Sequence, residues 1–459
     1  MRYEDFLKQK DFKNVLSGFD IDRNELHEML FDFQKDIVRW AIKKGKAAIF
    51  AMTGLGKTLM QLEWARQIHE KQKENVLILA PLAVASQTVR EAQKINLSVT
   101  HVRQDVDVTD GINITNYEQL HNIDTDKFGA IVLDESSILK SFTSKTRDQI
   151  INTFKDTPYK LACTATPAPN DHMELGNHAE FLNIMSRTEM LSMFFVHDMA
   201  TTQKWRLKGH AEDKFWEWVA NWAVLITKPS DLGYEDGAYN LPPLHMEEII
   251  VEGKPNEDEL VPTFAQTLSE RRQARKDSMK ERVQRAADLV NSTDEQFLIW
   301  CDLNKESELL TAAIDGAVEV KGSDTAKHKE KSLLGFSDNE IKRLVSKPQI
   351  AGMGLNFQSC RNMVFVGLSD SFEQVFQAIR RCWRFGQERE VNVYIVISEQ
   401  EGAVLENIKR KEKDFEIMQD GMIKFTKDIM NKNVKSTTVE KTAYEPTTKM
   451  ELPNFIKGA

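Results

Sequence analysis

The stretch AMTGLGKT at residues 51–58 constrains the fold of this chain more than any other feature. It follows a short apolar run, AAIFA (47–51), and it precedes a helical pattern that begins LMQLEWARQ. The phosphate-loop pattern G-x-x-x-x-G-K-[ST] is met at every position but the first, where Ala51 replaces glycine. Such a loop points backbone N–H groups at phosphate oxygens beside the positive end of a helix. The sequence therefore predicts a phosphate site between a β-strand and an α-helix.

The residues of this loop suggest how a nucleoside triphosphate would be bound. Gly54 and Gly56 allow the backbone to turn tightly around phosphate oxygens. Lys57 can reach the β- and γ-phosphates, and the hydroxyl of Thr58 can ligate Mg²⁺. Thr53 belongs to the same loop and is expected to contact the nucleotide. We therefore predict a nucleoside triphosphate and Mg²⁺ as the small-molecule ligands.

A pair of carboxylates ends a second apolar run, AIVLDESS (130–137). Carboxylates at the carboxyl end of a parallel strand lie where the sheet opens toward its ligand. Asp134 is therefore the predicted Mg²⁺ partner, either directly or through water. Glu135 is the predicted catalytic residue that orients and deprotonates the attacking water.

The wider sequence pattern predicts an α/β fold with two units. Apolar runs without strict alternation, separated by helical stretches, are typical of parallel sheets that are covered on both faces. A length of 459 residues is also too great for one ordinary core. The predicted strands lie at residues 47–51, 75–81, 112–115, 130–135 and 159–166, and then at 296–302, 317–322, 343–347, 362–367 and 391–397.

Residues 170–240, between the two units, read as helical and are rich in Met and aromatic residues. A helical subdomain packed on the first unit is one interpretation, and base stacking by Trp205, Trp216 or Trp218 is the other. The sequence LPP at 241–243 is a plausible boundary. The predicted organisation is an N-terminal helical segment (1–30), a first lobe (31–240) with a helical insertion at about 170–240, a second lobe (241–430) and a flexible tail (431–459).

Composition restricts the class of protein. The net charge of −9 gives no support to a nucleic-acid-binding role, although one face can still be locally basic. The basic stretch at 267–291 is either a solvated helix face or a surface that follows a phosphate backbone. Four scattered cysteines without a CxxC pair favour a reducing cytoplasm and disfavour disulfides or structural zinc. The charged N-terminus and the short apolar runs predict neither a signal peptide nor a membrane span.

Three arginines lie close together in QAIRRCWRFGQ (377–387). By themselves they suit either a basic patch that binds nucleic acid or a buried site that binds a smaller, more highly charged group. If 377–384 is helical, Arg381 and Arg384 share a face, because residues three apart are neighbours on a helix. Arg380 would then point elsewhere, toward a structural or nucleic-acid-facing position.

The motifs GLGKT, LDESS, CTATP and QAIRRCWRFGQ, in this order, resemble those of superfamily-two helicases. Within that superfamily the sequence is most similar to Swi/Snf-type DNA translocases, and its compact size resembles the small members carried by bacteriophages and prophages. The resemblance covers roughly residues 30–400. It implies two tandem RecA-like lobes, with ATP bound in the cleft between them and a helical subdomain on lobe one.

The resemblance also implies roles for individual residues. Gln34 matches the glutamine that recognises adenine, and Arg381 and Arg384 match the pair that crosses the cleft to the γ-phosphate. Ser137 and Trp383 depart from the family pattern, and Trp383 stands where a coupling histidine is usual. Gly354 is expected among the nucleotide contacts, and the residues expected to contact nucleic acid or couple it to hydrolysis are Pro81, Asn116, Thr164, Thr166, Asn356 and Trp383.

We therefore expect an ATP-driven motor that moves along nucleic acid, with double-stranded DNA as the expected track. One alternative is a helicase that separates strands or migrates branches on DNA or RNA. Another is a non-motor ATP-dependent loader for a nuclease or methyltransferase. Expected partners are nucleic acid and a nuclease, methyltransferase or replication and recombination protein, without a membrane. We expect a monomer in the cytoplasm, which is that of the host cell if a phage encodes the chain.

Overall fold

A computed structural model of the chain describes residues 16–197, 205–252, 275–350 and 356–430. Several predictions concern residues outside these ranges: the start of the N-terminal segment, the first part of the basic stretch at 267–291, Gly354, and the tail from 431 to 459. Among the described residues, no helix is both long enough and apolar enough to cross a membrane.

Lobe one is built on a sheet of seven parallel strands. These strands are β1 (Lys46–Ala51), β2 (Val76–Ala80), β3 (Val99–His101), β4 (Ile112–Asn116), β5 (Ala130–Asp134), β6 (Tyr159–Thr164) and β9 (Ala223–Ile226), in the order β3-β4-β2-β5-β6-β1-β9. The helices that accompany them are α1 (Asp32–Lys44), α2 (Lys57–Gln72), α3 (Leu82–Lys94) and α4 (Lys145–Thr153). Strands β2, β4 and β5 are buried at every residue, as expected for a sheet covered on both faces.

Lobe two is built on a second parallel sheet, with six strands. These are β10 (Leu244–Val251), β11 (Phe297–Cys301), β12 (Ala317–Val320), β13 (Arg343–Ser346), β14 (Asn362–Val366) and β15 (Val391–Ser398), in the order β10-β15-β14-β11-β13-β12. Its helices are α8 (Met279–Asn291), α9 (Asn304–Ala313), α10 (Ala326–Ser337) and α11 (Phe372–Ile379). The predicted tandem of two RecA-like α/β lobes is confirmed.

The region at 170–240 is only partly helical, which corrects the prediction. It contains α5 (Leu175–Phe181), α6 (Arg187–Phe194), an antiparallel hairpin of β7 (Phe195–His197) and β8 (Trp205–Leu207), and α7 (Glu212–Ala220). Strand β9 then joins the sheet of lobe one beside β1. Trp216 and Trp218 are each 2% exposed, so they pack in the core and are not available for base stacking.

The last described helix, α12 (Gly402–Met430), belongs to both lobes. It begins directly after β15 in lobe two, and its later turns pack on α7 and β9 of lobe one. His172 Nε2 lies 2.9 Å from the Asp414 carbonyl oxygen, and Lys424 pairs with Asp213 at 2.8 Å. The predicted second lobe, 241–430, therefore ends in a helix that returns to the first lobe.

Candidate active site

The phosphate loop joins β1 to α2 in lobe one and adopts the backbone geometry that its glycines permit. Gly54 and Gly56 have φ values of 94° and 80°, in the left-handed region that favours glycine. Lys57 Nζ donates to the Ala51 carbonyl oxygen at 2.8 Å, so the lysine folds back over its own loop. The Thr53 Oγ1 is buried and has no hydrogen-bond partner among the described residues. The loop thus presents an unpaired polar atom and a lysine where phosphate oxygens would lie.

Gln34 fixes α1 to the phosphate loop. Its Oε1 accepts a hydrogen bond from the Phe31 backbone N–H, and its Nε2 donates to the Leu55 carbonyl oxygen, both at 2.9 Å. A Cβ at Gly56 would lie 2.3 Å from the Gln34 Nε2, so only glycine fits at that position. The predicted adenine reader therefore sits directly against the loop, with both ends of its amide bonded to backbone.

The two predicted catalytic carboxylates lie at the end of β5. Asp134 is 4% exposed, and burial together with the Glu135 charge raises its pKa to about 7, while Lys57 opposes the shift. Burial lowers the pKa of Lys57, against the charges of Glu135 and Asp134. Glu135 has φ 54° and ψ 53°, a left-handed conformation that is uncommon for a side chain of its size. Such strain is often found at functional residues.

The residues at this edge fit a magnesium ion. The Asp134 carboxylate is almost wholly buried and has one lysine beside it. A second cation would further stabilise its negative charge. Mg²⁺ prefers oxygen ligands and usually takes one or two protein groups together with substrate phosphates. The Thr58 hydroxyl, at the start of α2, and the Asp134 carboxylate supply that kind of donor set.

A chain of hydrogen bonds leads from Glu135 to lobe two through the predicted coupling threonines. Thr164 Oγ1 donates to Glu135 Oε2 at 3.2 Å, and the Thr166 backbone N–H donates to Thr164 Oγ1 at 3.1 Å. Thr166 Oγ1 in turn donates to Glu373 Oε1 at 3.2 Å, and Glu373 also forms a salt bridge with Lys140. Both threonines are fully buried, so in this structure they bridge the lobes and do not face solvent.

Lys140 and Glu373 form a salt bridge between the lobes that the sequence did not predict. The two residues are 233 positions apart, so no local pattern could pair them. One signal was present in FEQVFQAI, where Glu373 is a carboxylate beside the apolar residues of α11. Glu373 is 8% exposed, which requires a partner for its charge.

The arginine stretch is not one helix, which corrects the prediction for 377–384. Helix α11 ends at Ile379, and the following residues form turns up to Gly386. Arg381 and Arg384 nevertheless both lie at the cleft. Burial lowers the pKa of Arg381, and the Glu135 carboxylate partly offsets this effect. Burial and the Arg381 charge lower the pKa of Arg384 to about 10.

Arg384 and Phe385 bring lobe two onto the phosphate loop. The positive charge of Arg384 contributes to the lowered pKa of Lys57, which places the guanidinium near that ammonium group. Arg384 also donates a hydrogen bond to Asn356 Oδ1, so this predicted nucleic-acid residue contacts the arginine here. A Cβ at Gly54 would lie 3.0 Å from the Phe385 Cβ. The loop and the arginine stretch are therefore in direct contact across the cleft.

Trp383 and Arg380 form a separate anchor. The Arg380 guanidinium carbon lies 4.1 Å from the Trp383 ring centroid, and Trp383 Nε1 donates to the Pro242 carbonyl oxygen at 2.7 Å. Pro242 belongs to the LPP connection between the lobes. Trp383 therefore contacts the inter-lobe linker through its ring N–H.

The remaining predicted nucleic-acid residues lie at neighbouring strand ends in lobe one. Pro81 follows β2 and begins α3, and Asn116 ends β4, which pairs with β2. Asn116 is 5% exposed, and its Oδ1 accepts a hydrogen bond from the Gln119 backbone N–H at 3.0 Å. Its side chain thus caps a turn and is not directed to solvent.

An aromatic cluster near Gln34 was also missed. The Tyr239 ring centroid lies 4.7 Å from that of Phe385, 5.5 Å from that of Phe33 and 5.9 Å from that of Phe31. These rings come from both lobes and from the segment that precedes the inter-lobe linker. One of them, Phe385, also lies against Gly54, so the cluster adjoins the phosphate loop.

Two protein-family models match the chain, one in each lobe. Residues 23–169 match the family model described as "Type III restriction enzyme, res subunit", and residues 281–386 match "Helicase conserved C-terminal domain". Among curated proteins, no sequence matches the chain. Among solved structures, the chain is similar to the SWI2/SNF2 ATPase core of Sulfolobus solfataricus in complex with dsDNA, at 18% identity and a TM-score of 0.43, over 90% of this chain and 99% of that one.

Proposed function

We propose that this chain is a nucleic-acid-stimulated ATPase of helicase superfamily two, and that it acts as a Swi/Snf-type translocase that moves along double-stranded DNA. One observation carries the proposal: the candidate ATP site is completed by lobe two. Arg381 lies in the field of Glu135, and Phe385 contacts Gly54 of the phosphate loop. A site divided in this way can hydrolyse ATP only when the lobes are together.

The residues of lobe one would bind ATP and activate water. Backbone N–H groups of the phosphate loop and the Lys57 ammonium group neutralise phosphate charge, once Lys57 has left the Ala51 carbonyl oxygen. Mg²⁺, held by Thr58 and Asp134, would supply further neutralisation of the phosphate oxygens. Glu135 then accepts the proton of the attacking water, and its partner Thr164 fixes the orientation of the carboxylate.

The residues of lobe two would stabilise the transition state. Arg381 and Arg384 carry permanent positive charge in a partly buried cleft, where an electrostatic contact is stronger than in water. Arginines that reach a transferring phosphoryl group from another segment accelerate hydrolysis by about 10³–10⁵. Because they belong to the opposite lobe, their approach makes hydrolysis depend on closure.

The hydrogen-bond chain through the threonines would connect hydrolysis to movement. It runs from Glu135 through Thr164 and Thr166 to Glu373 of lobe two. A change at Glu135 on hydrolysis would weaken this chain and release the lobes. Repeated closing and opening, with phosphate contacts on each lobe, would advance the protein along a DNA backbone.

The first test is ATP hydrolysis with and without nucleic acid. We expect double-stranded DNA to stimulate turnover and the stimulation to fall steeply as salt rises, because phosphate contacts release counterions. Equal turnover with and without DNA or RNA at low salt would refute a nucleic-acid motor.

The second test separates translocation from its alternatives. A translocase should displace a triplex-forming strand without opening the duplex beneath it. Strand displacement from a forked duplex would instead identify a strand-separating helicase. ATP-dependent DNA binding without directional progress would identify a loader.

A further inference from the structure

A cavity of about 310 Å³ lies in lobe one beside the cleft and has no role in the proposed hydrolysis. Phe142, Arg187 and Asn177 line it, together with Lys140 and Glu174. Its volume is at the lower end of the range for ligand pockets, about 300–1,000 Å³. The cavity is therefore large enough for one planar ring system but not for a large cofactor.

The aromatic ring of Phe142 is a surface on which a planar ligand could stack. Its side chain is 55% exposed, although it lies in the turn after the catalytic carboxylates. The Arg187 guanidinium carbon lies 4.3 Å from the Phe142 ring centroid, so one face of the ring is covered by a cation. No salt bridge joins Arg187 to a carboxylate in the described ranges, and its Nε has no hydrogen-bond partner there.

Unpaired polar atoms line the same cavity. Asn177 is fully buried, and its Nδ2 donates to the carbonyl oxygens of Leu139 and Lys140 at 2.7 and 3.2 Å. Its Oδ1 accepts no hydrogen bond within the part of the chain that the structure describes, and the same holds for the Arg187 Nε as a donor. A buried unpaired acceptor and donor indicate a polar ligand, because such atoms normally have partners.

The charges of the lining favour an uncharged ligand over a phosphate. Asp171 and Glu174 line the cavity together with Lys140 and Arg187, so the lining carries two acids and two bases and has no excess of positive charge to attract a phosphate. Glu174 accepts from the Asn170 backbone N–H and side-chain amide at 3.1 and 2.9 Å, so it is already engaged. A planar ring with both N–H donors and acceptors suits the unpaired atoms better than an anion does.

The cavity adjoins another one in the cleft between the lobes. A second cavity, of about 370 Å³, shares Lys140 and Asn170 with it. This second cavity is lined from lobe two by Gln349, Ser369 and Asp370, which follow β13 and β14. A nucleic-acid strand that crosses from one lobe to the other at the strand ends would therefore pass the mouth of the first cavity.

We propose that the Phe142 cavity receives an unpaired nucleobase of the nucleic acid, which stacks on the exposed face of Phe142 and bonds to Asn177 and Arg187. The proposal rests on the proposed function, and it extends the substrate class to duplexes that carry a bulged, gapped or otherwise unstacked base. Fully paired DNA keeps its bases stacked in the duplex and would engage the backbone contacts alone.

The test compares three duplexes of equal length in fluorescence anisotropy and in stimulated ATP hydrolysis: fully paired, with one bulged 2-aminopurine, and with one bulged abasic site. We expect the bulged base to bind about 5- to 150-fold more tightly than the abasic bulge, which is the range of one base–aromatic stack. The 2-aminopurine emission should fall on binding because the base stacks on the ring.

Variants at Phe142 then test whether its ring causes the preference for the bulged base. Phe142→Ala should reduce the affinity for the bulged base to that for the abasic bulge, and Phe142→Tyr should restore it, since the ring is kept. Val106→Ala, at a position that is 82% exposed, is the matched control for loss of a surface apolar group and should leave the preference unchanged.

Two outcomes would overturn the proposal. Equal affinity for the bulged base and the abasic bulge would show recognition of backbone shape only, and a retained preference in Phe142→Ala would place the base elsewhere. Either result leaves the motor intact if paired DNA still stimulates hydrolysis. If no nucleic acid stimulates hydrolysis, the proposed motor function is refuted. The 2-aminopurine emission then still tests whether a base stacks on Phe142.

Discussion

Substitution of Glu373 is expected to open the cleft, because this side chain joins the lobes through two contacts. In the closed structure it accepts from Thr166 Oγ1 at 3.2 Å and pairs with Lys140. A hydrogen bond to a charged group contributes about 1.5–3 kcal/mol, and a partly exposed ion pair about 0.2–1 kcal/mol. Allowing for new water contacts in the open state, we expect Glu373→Ala to cost the closed state about 2 kcal/mol.

This free energy corresponds to a change of about 30-fold in the ratio of closed to open molecules. A population that is about 99:1 in favour of closure would become about 3:1. Hydrolysis without DNA should fall in the same proportion as the closed fraction falls. ATP bound to the open form would still contact Lys57, so the affinity for nucleotide should change less than turnover does.

Inter-lobe energy transfer between two dyes measures this shift directly. The four native cysteines are all buried, so cysteines introduced at Val106 and Lys305, which are exposed, can be labelled selectively. Glu406→Gln, at an exposed carboxylate of α12 without an ion pair among the described residues, serves as the control. If Glu373→Ala leaves the distribution of transfer efficiencies unchanged, the reasoning about this contact is refuted.

Three further predictions follow from the site. Glu135→Gln should leave ATP binding largely intact and abolish turnover, as measured by nucleotide binding and phosphate release, and retained turnover would mean that another group is the base. Arg384→Ala should lower turnover about 10³-fold or more in stimulated ATPase assays. The neighbouring Arg380→Ala loses the stack on Trp383 and should mainly lower the melting temperature. Equal losses of turnover in the two variants would contradict the assignment of Arg384 to the γ-phosphate. The pKa of Asp134 is raised to about 7, so the folded protein retains a proton that the unfolded chain loses near pH 4, and the free energy of unfolding falls as pH rises from about 4 to 7. Asp134→Asn should therefore raise the melting temperature of the nucleotide-free protein more at pH 8 than at pH 4. An equal rise at both pH values would contradict this prediction.

Much of the fold follows from apolar runs in the sequence, because buried parallel strands need them. All ten predicted runs overlap a strand of the structure, whereas β3, β9 and the hairpin of β7 and β8 were missed. Strand β3 has only three residues, and β9 follows the aromatic helix α7 so closely that its AVLI reads as a continuation of that helix. Strand β10 lies outside the ten predicted runs, because most of its residues are exposed.

The phosphate loop and its neighbours were predictable because their residues are close in sequence and their roles depend on backbone geometry. The contacts between the lobes were not, because they join residues that lie far apart in the chain. Lys140 and Glu373 form one such pair, and Trp383 with Pro242 forms another. For the arginine stretch, the predicted local structure was wrong. Helical spacing predicted that Arg381 and Arg384 share a helix face, whereas a turn brings both residues to the cleft.

Helix α12 means that the lobes are joined twice along the chain, first by the LPP linker and again where this helix returns to lobe one. Two bodies held at one point can swing in any direction, whereas two bodies held at two points turn mainly about the line through both. The second crossing therefore removes most twisting and sliding from the relative motion. Each ATP cycle would then repeat nearly the same arc, which is what a motor requires for steps of constant size.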